Sequence, residues 1–241
     1  MIQTPKLSLV IPCYNEAPSL PGLLKRLDMA ALSDARVEFV LVDNGSSDSS
    51  VEAIKSAACQ RPNLLTAIRI EGNRGFGFGV LQGLAVAKGE FLGWSHADLQ
   101  TDPLDALRAL EIIDQHPDPE KLYLKGTRCA RPASDLVFTL GMSFFETLFF
   151  QSFLWDINAQ PNIFHRSFFT SWKNPPHDFA LELYALALAR RYELKVIRFP
   201  VLFENRRHGI SRWNVNWRSK IRFIKRTLSF SIKLRQRWSS L

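Results

Sequence analysis

Four short apolar runs, each followed by a polar loop, constrain the fold of this chain more than any other feature of its sequence. The runs cover residues 7–12, 37–42, 65–70 and 91–95. Apolar runs of this length are typical of buried strands. Segments with helical spacing separate them, as between residues 15 and 32, where leucines recur on one helix face. This alternation predicts an α/β fold with a Rossmann-like, mostly parallel central sheet flanked by helices.

Polar side chains follow three of the predicted strands. They lie at residues 14–16, at Asp43 and at residues 96–100. In open parallel sheets, ligands bind beyond the carboxyl ends of the strands. We therefore expect these three groups to converge on one crevice.

The second half of the chain has a less regular pattern. Its spacing predicts helices at 104–113 and 179–189 and strands at 122–124 and 195–203. Residues 136–155 are an apolar stretch long enough to cross a bilayer, but Glu146 lies near its middle. A buried charge there costs about 2.5–3.5 kcal/mol on insertion scales. We therefore expect an amphipathic helix and no spanning helix.

Basic residues are concentrated at the C-terminus. After Glu204 the chain has 11 Lys or Arg and no acidic residue, whereas residues 1–204 carry the other 20 basic side chains and all 23 acidic ones. We predict a catalytic domain over residues 1–212 and a basic amphipathic helical tail over 213–241. The tail's apolar arc comprises Trp217, Ile221, Phe223, Ile224, Leu228, Phe230, Ile232, Leu234 and Trp238.

A basic helix with an apolar, aromatic face is typical of peptides that lie in an anionic membrane surface. Basic charge also attracts nucleic acid, but the wide apolar arc favours lipid, so we expect no nucleic-acid partner. Docking of part of the tail on the protein's own core remains open. The cysteines at 13, 59 and 129 have no metal-site spacing, and residues 1–16 lack a signal-peptide pattern. We expect a cytoplasmic protein, peripheral on the membrane.

Five segments, in order over residues 5–213, carry a resemblance to a known family. They read LSLVIPCYNE, FVLVDNGSSD, FLGWSHADLQTDP, LKGTR and RRHGISRW. Together they resemble the family 2 glycosyltransferases, in particular the dolichol- and polyprenyl-phosphate mannose synthase-like members. The resemblance implies a GT-A fold, a GDP- or UDP-linked sugar donor, Mg²⁺ or Mn²⁺, and inverting transfer of a hexose to polyprenyl phosphate.

The metal site departs from the family pattern. Relatives carry Asp-x-Asp where this chain has His96-Ala97-Asp98. By resemblance, Asp98 is the catalytic metal ligand and Gln100 a metal or phosphate contact. A hard cation at such a site neutralises the departing diphosphate. His96 has three open roles: it contacts the donor, ligates a softer metal such as Mn²⁺, or only packs.

The resemblance also assigns donor contacts. Pro12, Tyr14 and Glu16 match the first nucleotide-contacting loop, and Asp43 matches the contact to base or ribose. Carboxylates accept hydrogen bonds from such groups. Two arginines are candidates for clamping phosphate oxygens: Arg128 by its match to the family motif, and Arg74, for which a solvated surface position is an equal alternative. The glycines at 75, 77 and 79 do not have dinucleotide-binding spacing.

Further candidates lie on the acceptor side. Asp156 matches an acid before the acceptor segment, and Asp178 and Glu182 match a region with a catalytic or structural acid. Arg206, Ser211 and Arg212 match a loop that contacts donor or acceptor phosphates. A phosphate acceptor needs no base, whereas a sugar hydroxyl on a lipid-linked glycan does. A non-catalytic nucleotide-sugar-binding module with a decayed metal site is a third hypothesis, and the oligomeric state is left open.

Overall fold

A mixed sheet lies at the centre of the molecule. The computed structural model describes residues 4–129, 133–204 and 217–237. Within those ranges the strands are β1 (Leu7–Cys13), β2 (Val37–Asp43), β3 (Leu65–Arg69), β4 (Phe91–Trp94), β5 (Leu122–Cys129), β6 (Asn162–His165) and β7 (Lys195–Leu202). They form one seven-stranded sheet in the order β3-β2-β1-β4-β6-β5-β7.

Strand direction decides which loops meet. β1 is parallel to β2 and β4, β2 is parallel to β3, and β5 is parallel to β7. Only β6 among the described strands runs antiparallel to its neighbours, β4 and β5. The chain therefore enters β6 at the edge where β1, β2, β4, β5 and β7 end. This is the edge where an open α/β sheet binds its ligands.

Helices cover both faces of the sheet, as predicted. They are α1 (Leu20–Ser33), α2 (Ser50–Gln60), α3 (Phe76–Val86), α4 (Asp105–Gln115), α5 (Ala133–Phe150), α6 (Arg166–Thr170), α7 (Ala180–Arg191) and α8 (Trp217–Gln236), with a short 3₁₀ turn at Pro119–Lys121.

Alternate residues of the strands build two separate cores. Leu9 of β1 packs with α1, α2 and α4, whereas its neighbour Val10 packs with α3, α7 and the C-terminal part of α5. Because successive side chains of a strand point to opposite faces, a strand buried on both sides must be apolar throughout. This explains the continuous apolar runs.

The structure differs from the predicted elements in three places. The first helix begins at Leu20 rather than at residue 15, because Asn15 adopts a positive φ of 55°. Strand β5 continues to Cys129, beyond the predicted end at residue 124. The four-residue strand β6 was not predicted. A run that short gives almost no periodic signal.

The C-terminal helix α8 docks partly on the protein's own core. Leu234 is buried and Phe230 packs against the same core as α7. The Ser231 hydroxyl donates to Glu146 of α5 at 2.7 Å, and Arg226 approaches Asp178 at 3.4 Å. Among the described residues, no helix is long and apolar enough to cross a membrane. The predicted domain boundary at 212 lies outside the described residues.

Candidate active site

Two loops at the carboxyl edge of the sheet are joined by hydrogen bonds. The amide of Asn15, after β1, donates to the Ser46 hydroxyl at 3.0 Å, and the amide of Ser47 donates to the Asn15 side chain at 2.8 Å. The amide of Glu16 donates to the Ser50 hydroxyl at 3.0 Å. These bonds hold the predicted donor-binding loops, at 14–16 and at 43, side by side.

Asp43 ends β2 with a buried carboxylate, 2% exposed. Its Oδ1 accepts from the amide of Ser46 at 3.0 Å. Its Oδ2 has no hydrogen-bond partner, and Arg69 approaches it only to 3.6 Å. Buried polar atoms without partners are uncommon, so this oxygen is available to accept a hydrogen bond from a base or ribose. Pro12 lies next to it on β1, paired with Val42, and Tyr14 is half-buried just beyond.

Glu16 has a local structural role as well. Its carboxylate accepts from the Ser19 hydroxyl at 2.9 Å, and its carbonyl accepts from the amides of Ser19 and Leu20 at the start of α1. Burial, followed by the negative charges of Glu16 and Asp43, raises the pKa of the Cys13 thiol far above its usual range. The two carboxylates therefore face one region around Cys13, whose thiol stays protonated.

The loop after β4 presents Asp98 at the same edge. Asp98 is 9% exposed, and its Oδ1 accepts from the amide of Gln100 at 3.1 Å. Leu99 between them has a positive φ of 59°. The Gln100 side chain donates to the Glu204 carbonyl at 3.2 Å, and the Glu204 amide donates back to the Gln100 carbonyl at 2.9 Å. Gln100 thus ties the Asp98 loop to the chain leaving β7.

His96 packs against aromatic rings. Its ring centroid lies 5.1 Å from that of Phe76 and 6.4 Å from that of Phe179. Phe76 and Phe179 stack in parallel at 4.6 Å. These ring contacts agree with the packing role, which is one of the three roles that the sequence leaves open for His96.

A divalent cation is compatible with Asp98. Among the described residues, no group of three or more His, Cys, Asp or Glu side chains is placed to hold a metal. Mg²⁺ does not need such a cage, because it is commonly held by one or two carboxylates together with substrate phosphates and water. Asp98, supported by Gln100, fits that arrangement.

Arg128 and Asp156 form an ion pair between the end of β5 and the turn before β6. Asp156 is fully buried and Arg128, near the end of β5, is mostly buried. Nε of Arg128 donates to Oδ1 of Asp156 at 3.1 Å, Nη2 donates to the same oxygen, and the Arg128 amide donates to Oδ2 at 3.3 Å. Asp156 has a positive φ of 39° in the turn before β6. The antiparallel direction of β6 brings this turn to the end of β5.

Glu182 lies in a buried polar network. Its Oε1 accepts from Trp94 at 2.8 Å and Gln160 at 2.7 Å, and its Oε2 accepts from Asn162 at 2.7 Å. Lys125 lies 3.6 Å from Oε2. Glu182 is 1% exposed and both its oxygens have partners. Of the two roles left open for it, these contacts favour the structural one.

Asp178 and Arg74 are more exposed. Asp178 accepts from the amide of Ala180 at 2.9 Å at the start of α7. An added Cβ at Gly77 would lie 2.6 Å from the Asp178 carbonyl, so glycine there lets α3 approach the chain before α7. Arg74 lies over the Phe78 ring, 3.9 Å from its centroid, and is exposed. Arg206, Ser211 and Arg212 lie outside the described residues.

The buried lysine at 125 was not recognised from the sequence as a site residue. Its Nζ donates to the Ala159 carbonyl at 2.7 Å and to Asn162 at 2.5 Å. Burial lowers the pKa of Lys125 to about 7, against the opposing effect of Glu182. The available signal was a lysine directly after the apolar stretch 122–124 and before Gly126, since a charged residue in a buried strand needs a partner.

Comparison with known proteins agrees with this architecture. The sequence model described as Glycosyl transferase family 2 matches residues 8–119. An undecaprenyl-phosphate 4-deoxy-4-formamido-L-arabinose transferase from Pseudomonas aeruginosa is 39% identical over 109 residues, 45% of this chain and 32% of the relative. The enzyme of the same name from Photorhabdus laumondii is 37% identical over 136 residues, 56% of this chain and 40% of the relative. The matched segments thus span about a third to two-fifths of these relatives.

Solved structures show the same fold. A mannosyltransferase from Pyrobaculum calidifontis in complex with GDP-Man and Mn²⁺ superposes with a TM-score of 0.68 at 19% identity, over 96% of this chain and 65% of that one. Glucosyl-3-phosphoglycerate synthase from Mycobacterium tuberculosis, with Mn²⁺, UDP-Glc and phosphoglyceric acid, gives 0.65 at 16% identity, over 86% and 73%. The chain therefore has the GT-A fold, and its residues 8–119 match the glycosyltransferase family 2 sequence model.

Proposed function

We propose that the protein is a metal-dependent, inverting glycosyltransferase that moves a hexose from a GDP- or UDP-linked donor to a membrane lipid, polyprenyl phosphate. The matched relatives are named for transfer to undecaprenyl phosphate, and the superposed structures hold GDP-Man or UDP-Glc with Mn²⁺. The reaction takes place at the cytoplasmic face of a membrane to which the protein binds peripherally.

One observation carries the proposal: the buried Asp43 oxygen that accepts no hydrogen bond lies at the same sheet edge as Asp98. An acceptor for nucleoside hydrogen bonds and a carboxylate for a cation on the diphosphate are the two groups that a nucleotide-sugar donor needs. Strands β1, β2 and β4 run parallel, so both groups follow strand ends at the same edge of the sheet.

The chemistry is a single displacement. An oxygen of the lipid phosphate forms a bond to the anomeric carbon while the bond from that carbon to the diphosphate breaks, which inverts the configuration. A bound Mg²⁺ or Mn²⁺ would neutralise charge on the departing diphosphate. Asp98 and Gln100 would hold that cation, and Glu16, Tyr14 and Pro12 line the nucleoside side. Arg128 and Arg206 contact phosphates.

The Arg128–Asp156 pair favours a phosphate acceptor over a sugar hydroxyl. Both Asp156 oxygens accept hydrogen bonds from Arg128, Asp178 accepts from α7 and approaches Arg226, and Glu182 is fully paired. A hydroxyl acceptor needs a general base with an oxygen directed at the proton it removes. A lipid phosphate is already anionic and needs none. Asp156 then positions Arg128 for the incoming phosphate.

The test is a binding and transfer panel. GDP- and UDP-sugars are titrated with Mg²⁺, Mn²⁺ or EDTA against the wild type, Asp98→Asn and the control Asp118→Asn, a change of the same kind at an exposed surface acid. Undecaprenyl phosphate in detergent is then supplied with the donor that binds, and the anomeric configuration of the lipid product is determined by NMR.

We expect one donor to bind only with metal, to be lost in Asp98→Asn and to be retained in Asp118→Asn. Release of free nucleotide should depend on the lipid. Donor binding without release of nucleotide for any lipid would instead support the non-catalytic binding module. A donor that binds equally well with EDTA would contradict the metal role of Asp98.

A further inference from the structure

Helix α5 exposes a continuous apolar stripe. Leu136, Leu140, Phe144 and Leu148 follow one another at four-residue intervals, and they are 40, 46, 68 and 62% exposed. Residues four apart lie on one face of a helix. Phe153, just after the helix, is also 62% exposed. Exposed contiguous apolar side chains of this size mark an interaction site rather than ordinary surface.

The buried side of α5 limits this stripe. Thr139, Ser143, Glu146 and Phe150 are buried on that side. The charged residue that interrupts the apolar sequence thus points inward, where Ser231 of α8 donates to it. Glu146 does not break the exposed face, which is apolar because the one acid of residues 136–150 is hidden.

Helix α8 adds a second exposed apolar strip next to this contact. Ser231 and Leu234 face the core, and Arg226 approaches Asp178 along one edge of the helix. At 100° per residue, Ile224, Leu228 and Ile232 follow the other edge. Ile224 is 40% and Ile232 is 48% exposed, and Leu228 is half-buried. Part of the predicted apolar arc is therefore buried in the protein and part remains outside.

Basic side chains border the exposed strip of α8. Lys225 and Lys233 are exposed and lie beside Leu228 and Ile232 on one surface groove, and Arg237 is exposed further along. Residues 224–237 contain no acid. An apolar strip with a purely basic border complements an anionic lipid surface, where apolar side chains enter the acyl boundary and cations remain among the headgroups.

We infer that the exposed faces of α5 and α8 form one docking surface for an anionic bilayer. Its apolar residues are Leu136, Leu140, Phe144, Leu148, Ile224, Leu228 and Ile232, and its basic residues are Lys225 and Lys233. The Glu146–Ser231 contact joins the two helices into this α5/α8 surface. The choice of lipid as partner rests on the proposed function, since an acceptor anchored in a bilayer must be reached by an enzyme held against it. A second copy of the chain is a poorer partner, because the basic side chains that border the two apolar strips would face each other across the contact.

The experiment measures co-sedimentation with vesicles that contain no acceptor. Vesicles of phosphatidylcholine alone are compared with vesicles that also contain phosphatidylglycerol. Leu148→Ser is paired with Leu32→Ser, since Leu32 is 89% exposed at the end of α1, on the other face of the sheet. Lys233→Gln is paired with Lys55→Gln on α2, which is also exposed. Light scattering records the oligomeric state of each variant.

We expect Leu148→Ser to weaken binding about three- to tenfold and Lys233→Gln to weaken it about fivefold on anionic vesicles only. Both controls should bind like the wild type. Equal losses of vesicle binding in Leu32→Ser and Leu148→Ser would overturn the inference. It would also be overturned if the wild type did not bind vesicles but formed a dimer that Leu148→Ser dissociates. A wild type that ignores vesicles but glycosylates detergent-dispersed polyprenyl phosphate would refute the docking surface alone. Vesicle binding without donor binding would support the surface and refute the enzyme.

Discussion

Arg128 and Asp156 contact each other through both carboxylate oxygens, from two strands that run in opposite directions. Arg128 lies near the carboxyl end of β5 and Asp156 in the turn that enters β6. The carbonyl of Asp156 also accepts from the amide of Ala159 at 3.0 Å, and the amide of Asp156 donates to Ser143 of α5. The acid is therefore fixed on three sides, and it in turn fixes the guanidinium.

This relationship predicts the effect of Asp156→Asn. If Asp156 positions Arg128, the variant should raise the KM for the lipid phosphate about ten- to a hundredfold, because a hydrogen bond to a charged group contributes about 1.5–3 kcal/mol. Its kcat should change much less, and the pH profile of kcat should keep its shape. Steady-state kinetics with varied acceptor at several pH values test this, with Asp118→Asn as the control.

A general base would give a different result. Loss of such a base lowers kcat by about 10²–10⁴-fold and removes one limb of the pH profile. That outcome, with an unchanged KM for the acceptor, would move the assignment to a hydroxyl acceptor.

His96 provides a second prediction, because it occupies the position of the family's first acid but packs on Phe76. His96→Phe keeps an aromatic ring against Phe76 and removes both ring nitrogens. We expect it to bind donor and Mn²⁺ within about threefold of the wild type, since a packing residue contributes through its ring contacts. Calorimetric titration of metal and nucleotide-sugar measures this. A loss as large as that of Asp98→Asn would show that an imidazole nitrogen contacts the metal or the donor.

Much of the fold could be predicted from the sequence because its signals are local. Strands β1, β2 and β4 were placed to within a residue or two at each end, since buried parallel strands are apolar throughout. The convergence of Asp43 and Asp98 on one sheet edge also followed, because strand polarity alone determines it. The GT-A fold implied by the resemblance is confirmed by the superposed structures.

The surroundings of β6 could not be predicted in the same way. Strand β6 has four residues, and its antiparallel direction depends on pairing with β4 and β5, which no local pattern encodes. The partners of Asp156, Glu182 and Lys125 come from that pairing. The direction of the Glu146 side chain likewise depends on a distant contact. Its hydrogen-bond partner, Ser231 of α8, lies 85 residues later in the sequence.

Glu146 makes the stability of the protein depend on pH. It is fully buried, and burial raises its pKa from 4.5 to about 7, while the hydrogen bond from Ser231 opposes this. The native state therefore holds a proton that the unfolded state releases between about pH 4.5 and 7. Stability should fall as pH rises through this window, by about 3 kcal/mol in total.

Glu146→Gln keeps an acceptor for Ser231 and cannot ionise. We expect it to flatten the pH dependence in this window and to be more stable than the wild type at pH 8. Urea unfolding at pH 5 and pH 8 measures the difference, with the exposed Glu111→Gln as control. Burial also raises the pKa of Asp105 to about 7, which adds to the slope of stability against pH. This contribution is the same in the wild type, Glu146→Gln and Glu111→Gln, so it cancels when they are compared. An unchanged slope in Glu146→Gln would contradict burial of a titrating Glu146.

The pair of Lys125 and Glu182 allows a structural role to be separated from a catalytic one. Both side chains are buried at 3.6 Å, so Glu182→Leu should leave a buried cation without its counter-charge and destabilise the protein by about 3–5 kcal/mol. Lys125→Met should cost a similar amount by leaving the carboxylate unpaired. The double variant removes both charges and should be destabilised by less than the sum of the single changes, with a coupling of about 1–3 kcal/mol in a urea double-mutant cycle.

Activity in the double variant then distinguishes the two roles. If the role of Glu182 is to balance the buried charge of Lys125, turnover should recover together with stability in the double variant, measured below its unfolding transition. If Glu182 transferred a proton, the double variant would fold but remain as inactive as Glu182→Leu. Recovery of turnover would assign Glu182 a structural role and would leave Asp43, Asp98 and the Arg128–Asp156 pair as the charged groups proposed to contact the substrates.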